Sequence, residues 1–432
     1  MYRKITAFLE RWRESRDRKP LLLQGPSHVG KTYTVLEFGR THYENVAYIN
    51  FEINPRLKQV FDDYIRPEHL ITILSHIVGQ TIVPGRTLIA LDEVQYCPWV
   101  VAALGYFHDA LPAYHVIATG SLFDVAAARE HFKVPADKIT FRTMQPMDME
   151  EFMLALGEGA LVGQIHRCFE TNTPLPAVLH DRAMQYYKQY QRIVGGMPEC
   201  VRQFADTKDY LLVRHTQETL VDGYLHEMER FCTAREARRT QQLYENMTTQ
   251  LSRKSTRFQY NLVKKGGRAS EFEGAIAWLT LSQLVTRVYR LSQICAPLEA
   301  HRDADAFKLY FSDVGLFCSQ KNLATNDVLY MLEERGEFRG GELENYVQTQ
   351  LTTSGHRTYY WESERGAEVD FIIERGGELI PIEVKSADNT KAKSLNVYID
   401  TYSPSYAIKL SAGNFGFEND KKTVPLYAAF CI

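Results

Sequence analysis

Short apolar runs alternate with helix-length stretches over the first 160 residues. Leu21-Leu-Leu-Gln24, Val46-Ala-Tyr-Ile-Asn-Phe51, Thr87-Leu-Ile-Ala-Leu91 and Val116-Ile-Ala-Thr119 read as strands. Their apolarity is continuous rather than alternating, so both faces of the sheet are expected to be covered. A helical stretch over 31–42 separates the first two. The pattern predicts a doubly wound α/β domain with a parallel sheet over 1–160. Residues 161–241 read as helical, with a break at Gly195-Gly196-Met197-Pro198. Short helices and strands mix over 242–322. Over 323–432, a helix at 343–351 precedes strands at 358–361, 369–373 and 380–384. No internal repeat or low-complexity linker interrupts the chain.

At 432 residues the chain exceeds one ordinary core, so several domains are expected. Hydrophobic residues at 45% and charged residues at 24% exclude a disordered chain. The net charge of -3 supplies no global field for nucleic acid, so any such contact must be local. No apolar stretch reaches membrane-spanning length, and the first residues carry charges without an apolar signal core. A cytoplasmic location and no membrane partner are expected. The seven cysteines (97, 168, 200, 232, 295, 318 and 431) stand singly, which argues against a disulfide framework or a structural zinc site.

Gly25-Pro26-Ser27-His28-Val29-Gly30-Lys31-Thr32 fits G-x-x-x-x-G-K-[ST], between an apolar strand and a helix. The glycines let the loop turn so that backbone N–H groups point at phosphate oxygens, and the helix adds its positive end. Lys31 is the cation for the outer phosphates and Thr32 a hydroxyl ligand for Mg²⁺. ATP is thus the expected ligand of residues 25–32, with Tyr33 next to them on the helix. Asp92 closes a buried strand, where a carboxylate is costly unless a metal waits. It is the second Mg²⁺ residue, and Glu93 is the candidate base that polarises water. Thr119 and Ser121, at the end of the next strand, either sense the terminal phosphate or form a plain turn.

Gln24-Gly-Pro-x-x-Val-Gly-Lys-Thr32, Leu91-Asp-Glu-Val-Gln95 and Ala118-Thr-Gly-Ser121 resemble the bacterial AAA-type ATPases related to the archaeal ATPase and STAND groups. Gly196-Met197-Pro198 matches their Gly-x-Pro motif, which implies a helical lid with Gly196 and Pro198 near the adenine. The similarity continues through Gln250-Leu-Ser-Arg, Ala277-Trp-Leu and Phe307-Lys-Leu-Tyr-Phe-Ser-Asp-Val-Gly-Leu316, and ends at Glu368-Val-Asp-Phe371 and Ile382-Glu-Val-Lys385. This layout implies a P-loop core at 1–160, a lid at 161–241, a winged helix at 242–322 and a restriction-endonuclease-like domain at 323–432. One departure is the absence of a Gly-Arg pair between Ser121 and Glu150. Arg142 is only a loose substitute, so no arginine finger is assigned.

Asp370, then Glu383-Val384-Lys385, fits the D…(D/E)-x-K order of PD-(D/E)XK nucleases, and Glu344 resembles the first-helix acid of that fold. Strand period puts Glu383 and Lys385 on one face, and a turn at Arg375-Gly-Gly377 brings Asp370 beside them. Asp370 and Glu383 would hold a divalent metal, with both carboxylates expected open to solvent, and Lys385 would orient water. A Glu-x-Lys pair is equally an ordinary surface ion pair. Arg253, Lys254, Arg257, Lys264, Lys265 and Arg268 crowd one acid-free stretch with Phe258 and Tyr260, a candidate for duplex DNA or a solvated face.

The expectation is therefore an ATP-hydrolysing protein, open to homo-oligomerisation, whose nucleotide state controls DNA binding or metal-dependent cleavage. A nucleotide-gated switch whose tail binds without cleaving, and a nuclease in which ATP is structural, stand as alternatives.

Overall fold

The computed structural model describes residues 1–54, 57, 67–97, 99–130, 135–253, 255–321, 340–385 and 393–432. Two compact units divide the chain. One comprises Tyr2–Gln145 with Leu281–Gln283, and the other Pro146–Thr280, Leu284–Ile432 and Met1.

The first unit is built on a parallel sheet of β1 (Leu21–Gln24), β2 (Asn45–Asn50), β3 (Thr87–Asp92), β4 (His115–Gly120) and β5 (Thr140–Thr143). The strand order is β2-β3-β4-β1-β5, so β4 separates the loop strand β1 from β3. Alternate residues sort to opposite faces, as strand period requires. Leu22, Ile49, Ile89, Leu91 and Val116 join one core with Leu70, Leu74 and Leu104. Leu21, Leu23, Leu88 and Ile117 join another with Leu9, Trp12 and Phe38. Helices Pro67–Val78 and Trp99–Ala110 supply the first side, and Ile5–Glu14 and Lys31–His42 the second. This double covering explains the continuous apolar runs.

In the second unit, five helices from Met149–Ala155 to Tyr210–Phe231 precede helix Ala234–Leu251. A reciprocal capping box of Thr233 and Glu236 starts that helix. Short helices Tyr260–Val263 and Ala269–Leu281 lead into the hairpin of β6 (Val285–Leu291) and β7 (Arg302–Phe311). This hairpin does not stand alone. β6 pairs in parallel with β8 (Tyr359–Glu362), which continues antiparallel into β9 (Glu368–Arg375) and β10 (Glu378–Val384). β11 (Ala407–Ser411), β13 (Lys421–Pro425) and β12 (Gly416–Glu418) complete one eight-stranded mixed sheet, in the order β12-β13-β11-β10-β9-β8-β6-β7. The hairpin β9–β10 turns at Gly376 and Gly377, both at positive φ (61° and 83°), the geometry of a tight two-residue turn. The segments read as winged-helix-like and nuclease-like thus share one sheet, and the compact division falls at Gln145/Pro146. No helix among the described residues is long and apolar enough to cross a membrane.

Candidate functional site

Residues 25–32 link β1 to the helix Lys31–His42. Gly30 is the left-handed N-cap of that helix at φ 91°. Gly25 has φ 150°, and a Cβ there would overlap the Met144 carbonyl oxygen, so only glycine fits. Val29 is fully buried, its carbonyl accepting from Arg3 Nη1 at 2.9 Å. Lys31 is 5% exposed, and its ammonium donates to the carbonyls of Gly25 (2.9 Å) and Pro26 (2.8 Å). Ser27 is buried, whereas His28, at φ 63°, and Tyr33 are exposed.

Asp92 ends β3 beside this loop. Its carboxylate accepts the Thr32 hydroxyl at 3.0 and 3.1 Å, Tyr48 Oη at 2.7 Å, Asn50 Nδ2 at 3.1 Å and the Thr119 hydroxyl. Parallel register explains the convergence: Asn50 lies opposite Asp92 on β2, and Ala118, next to Thr119, lies opposite Leu91 on β4. Burial pushes the Tyr48 phenol up to about 12, so it remains a donor. Thr119 therefore sits on the Asp92 carboxylate. Tyr48 and Asn50 were missed by sequence reasoning, because neither belongs to a motif; a polar residue closing an apolar strand was the available signal.

Glu93 follows in the left-handed region at φ 57°, a costly conformation for a side-chain-bearing residue and one found at functional sites. Burial raises its carboxyl above the ordinary range, against the pull of the Lys31 ammonium. Gln95 Nε2 donates to Glu93, while Gln95 Oε1 is buried without a hydrogen-bond partner among the described residues. Arg142 on β5 lies over the Phe8 ring at 4.4 Å. Thr32 and Asp92 form the oxygen donor set a magnesium ion takes, one hydroxyl and one carboxylate already in contact, so the residues fit that ion.

Gly196 and Pro198 belong to the other unit. Gly196 N donates to the Asp313 carboxylate at 2.6 Å, its carbonyl accepts from Met147 N at 2.7 Å, and a Cβ would overlap the Met147 carbonyl. Pro198 is the first residue of helix Pro198–Thr207. Asp313 also caps helix Val314–Ser319, and burial pushes it to about 6.

The C-terminal residues meet on the eight-stranded sheet. Continuing the β9–β10 register past Phe371↔Ile382 sets Asp370 opposite Glu383. Asp370 Oδ2 accepts from Val384 N at 2.7 Å, and Lys385 pairs with Glu383. Glu344, on helix Gly340–Thr353, accepts from Thr256 (2.9 Å), Lys308 (3.0 Å) and Tyr310 (2.6 Å). Lys308, on β7, is fully buried and also pairs with Glu368. It lies in the Phe307–Leu316 stretch quoted above, but its ion pairs join segments far apart in sequence and left no local signal.

One expectation fails. Glu383 is 2% exposed rather than open to solvent, and its Oε2 has no hydrogen-bond partner among the described residues. Burial, then the like charges of Glu344 and Glu383, raise Asp370 well above the carboxylate range. Burial also raises Glu383, against Lys385, whereas Lys308 leads the interactions that hold Glu344 low. Among the described residues no three His, Cys, Asp or Glu side chains are grouped as metal ligands. Two lysine ammoniums counter the carboxylates instead, and this donor set does not fit a divalent ion as it stands.

Of the basic stretch, Arg253, Arg257, Lys264, Lys265 and Arg268 are exposed, and Lys264 pairs with Glu271 at 2.6 Å. Lys254 lies outside the described residues.

Comparison with known proteins agrees with the first unit. Residues 17–153 match the family model of an AAA domain, a segment that contains the loop 25–32 and Asp92. Residues 184–327 and 339–429 match two domains of unknown function, DUF8612 and DUF4143. No curated protein matches the chain. Among solved structures, a Walker-type ATPase of Pyrococcus abyssi aligns with 73% of this chain and 94% of its own, at 15% identity and TM-score 0.43. The ORC2 protein of Aeropyrum pernix, in ADPNP-ADP complexes, aligns with 77% of this chain and 93% of its own, at 11% identity and TM-score 0.40. The Aeropyrum pernix ORC1 protein in complex with DNA covers 78% and 93% respectively, at 12% identity and TM-score 0.28.

Proposed function

We propose that the protein binds MgATP on residues 25–32, hydrolyses it slowly, and uses nucleotide state to govern DNA binding by its C-terminal unit. The observation that carries the ATPase reading is the Asp92 carboxylate, met by Thr32 and Thr119 and followed by the half-buried Glu93. A magnesium ion held by Thr32 and, through water, by Asp92 would neutralise phosphate charge. Backbone N–H groups of the loop bind the phosphates, and the Lys31 ammonium moves from loop carbonyls to phosphate oxygen. Glu93 holds and polarises the attacking water, and Gln95 orients Glu93.

Lys31→Ala is expected to lose MgATP binding, whereas Glu93→Gln keeps binding and loses turnover. Hydrolysis by Glu93→Gln at the parental rate would remove the base assignment.

For the C-terminal unit, the geometry favours binding over cleavage, because lysines rather than metal ligands answer the carboxylates. The exposed Arg253, Arg257, Lys265 and Arg268 are the proposed phosphate contacts. Plasmid nicking supported by Mg²⁺ or Mn²⁺, and abolished by Asp370→Asn, would overturn the non-cleaving reading. Replacing Lys264, Lys265 and Arg268 by Glu is expected to weaken duplex binding; unchanged affinity would return the stretch to a solvated face.

A further inference from the structure

The last turn of the described chain, Leu426–Cys431, is held from several sides. Tyr346 Oη donates to the Leu426 carbonyl at 2.9 Å, His180 meets Tyr427 Oη at 3.0 Å, and Ser354 Oγ donates to the Phe430 carbonyl at 3.2 Å. His356 Nε2 lies 3.0 Å from the Ile432 oxygen. The backbone on both sides of Cys431 is thereby held. Its Sγ lies 3.7 Å from His166 Nδ1, and the other ring nitrogen, Nε2, lies 2.9 Å from Glu150 Oε1. All these residues belong to one compact unit.

The order thiol, imidazole, carboxylate has chemical content. A carboxylate can only accept, so the neutral ring carries its proton on Nε2 toward Glu150 and leaves Nδ1 bare toward the sulfur. Nδ1 is then a base aimed at the thiol, and Glu150 stabilises the imidazolium that results. Lys422 on β13 lies within electrostatic range of Cys431 and adds a second cation, while Tyr346 and Tyr427 are the phenols in range. Cys431 is partly exposed and the His166 side chain is 43% exposed, so a small molecule reaches both. By contrast Cys97, Cys168, Cys200 and Cys318 are buried.

We propose that Cys431, with His166 as its base and Glu150 holding the ring, is a reactive-thiol site for small peroxides. The Cys431 thiol gives its proton to His166 Nδ1. The thiolate lone pair attacks one peroxide oxygen, an S–O bond forms and the O–O bond breaks. Sulfur is oxidised to the sulfenic acid, and the peroxide is reduced, its departing oxygen taking the imidazolium proton to leave as water or an alcohol.

The test uses the full chain and peptide-level mass spectrometry, with iodoacetamide alkylation from pH 5 to 9 and dimedone capture after hydrogen peroxide. Cys431 is expected to alkylate roughly tenfold faster at pH 7 than the likewise partly exposed Cys232, and to carry the dimedone adduct. His166→Asn is expected to abolish that advantage and move the half-maximal rate to higher pH, with the buried Cys168 and Cys200 still unalkylated as the folding control. Glu150→Gln gives the same readout with a smaller loss, should His166→Asn fail to fold. Equal rates at Cys431 and Cys232, or a Cys431 profile unmoved by either substitution, would overturn the proposal. Fast alkylation without a dimedone adduct would overturn peroxide as its electrophile.

Discussion

Lys308→Met tests the energetics of the carboxylate cluster. The ammonium is fully buried, 3.0 Å from Glu344 Oε2, paired with Glu368 and 5.0 Å from the Tyr360 ring centroid. Methionine keeps the length and apolar stem of the side chain but removes the charge. Glu344 keeps its bonds from Thr256 and Tyr310, yet becomes a carboxylate without its principal cation. Removing one partner of a buried ion pair costs about 3–5 kcal/mol. For a unit of this size that lowers the melting temperature on the order of 10 °C.

The sign of the pH effect follows from Glu344. Lys308 is the largest influence holding its folded value low, so its contribution to stability is present above the unfolded carboxyl value and fades as pH falls. Without Lys308, protonation of Glu344 becomes a relief. The deficit of Lys308→Met is therefore expected to shrink at pH 5 relative to pH 8, and Glu344→Gln added to it is expected to recover part of the loss. Differential scanning fluorimetry at several pH values reads all three. A melting temperature within about 2 °C of the parent at pH 8 would refute the buried-pair argument.

Asp370→Asn is expected to raise the melting temperature. Burial and the charges of Glu344 and Glu383 raise the aspartate, so its stability contribution is full below the unfolded carboxyl value and lost as pH rises through the folded one. The gain should widen from pH 5 to pH 8, since asparagine keeps the acceptor for Val384 N; a gain independent of pH would contradict it. Asp313→Ala removes a helix cap and leaves a buried Gly196 N–H, a cost of roughly 2–4 kcal/mol by chemical denaturation. Because burial raises Asp313 to about 6, that cost is expected to be larger at pH 5 than at pH 8. Gly25→Ala is expected to weaken binding of a fluorescent ATP analogue by at least about tenfold, by forcing the loop off the Met144 carbonyl. Equal affinity would show that the loop tolerates the shift.

The strands of the first unit were legible because both sides of the sheet are covered, which writes each strand as an unbroken apolar run. Leu21–Gln24 and the helix Lys31–His42 follow that reading directly. β5 escaped because it is an edge strand, with Phe141, Arg142 and Thr143 exposed, and carries no such run. The loop was legible from its spacing, and Asp92 from its place at the end of an apolar strand. Tyr48 and Asn50 were not, since their roles come from register between strands far apart in sequence, and Gln95 entered only as part of the Leu91–Gln95 match, without its bond to Glu93. The order of acid, acid and lysine in the C-terminal segment brought Glu344, Asp370, Glu383 and Lys385 together in space. The burial of Glu383 and the pairing of Glu344 with Lys308 come from packing between distant segments, which no local pattern records.

The parallel pairing of β6 with β8 has a consequence for dividing this protein into working parts. Tyr289 and Arg290 bond along Tyr359 and Tyr360, so a cut between the two strands unzips a continuous ladder. A chain shortened after β7 would present the free edge of β6, and the piece beginning near β8 would present the other half of the same seam. Unpaired strand edges recruit one another, so each fragment is prone to aggregate or to pair with a second copy across that seam. Co-expressed, the two pieces have a ready-made way to find each other, which makes this position a natural split point for complementation in cells.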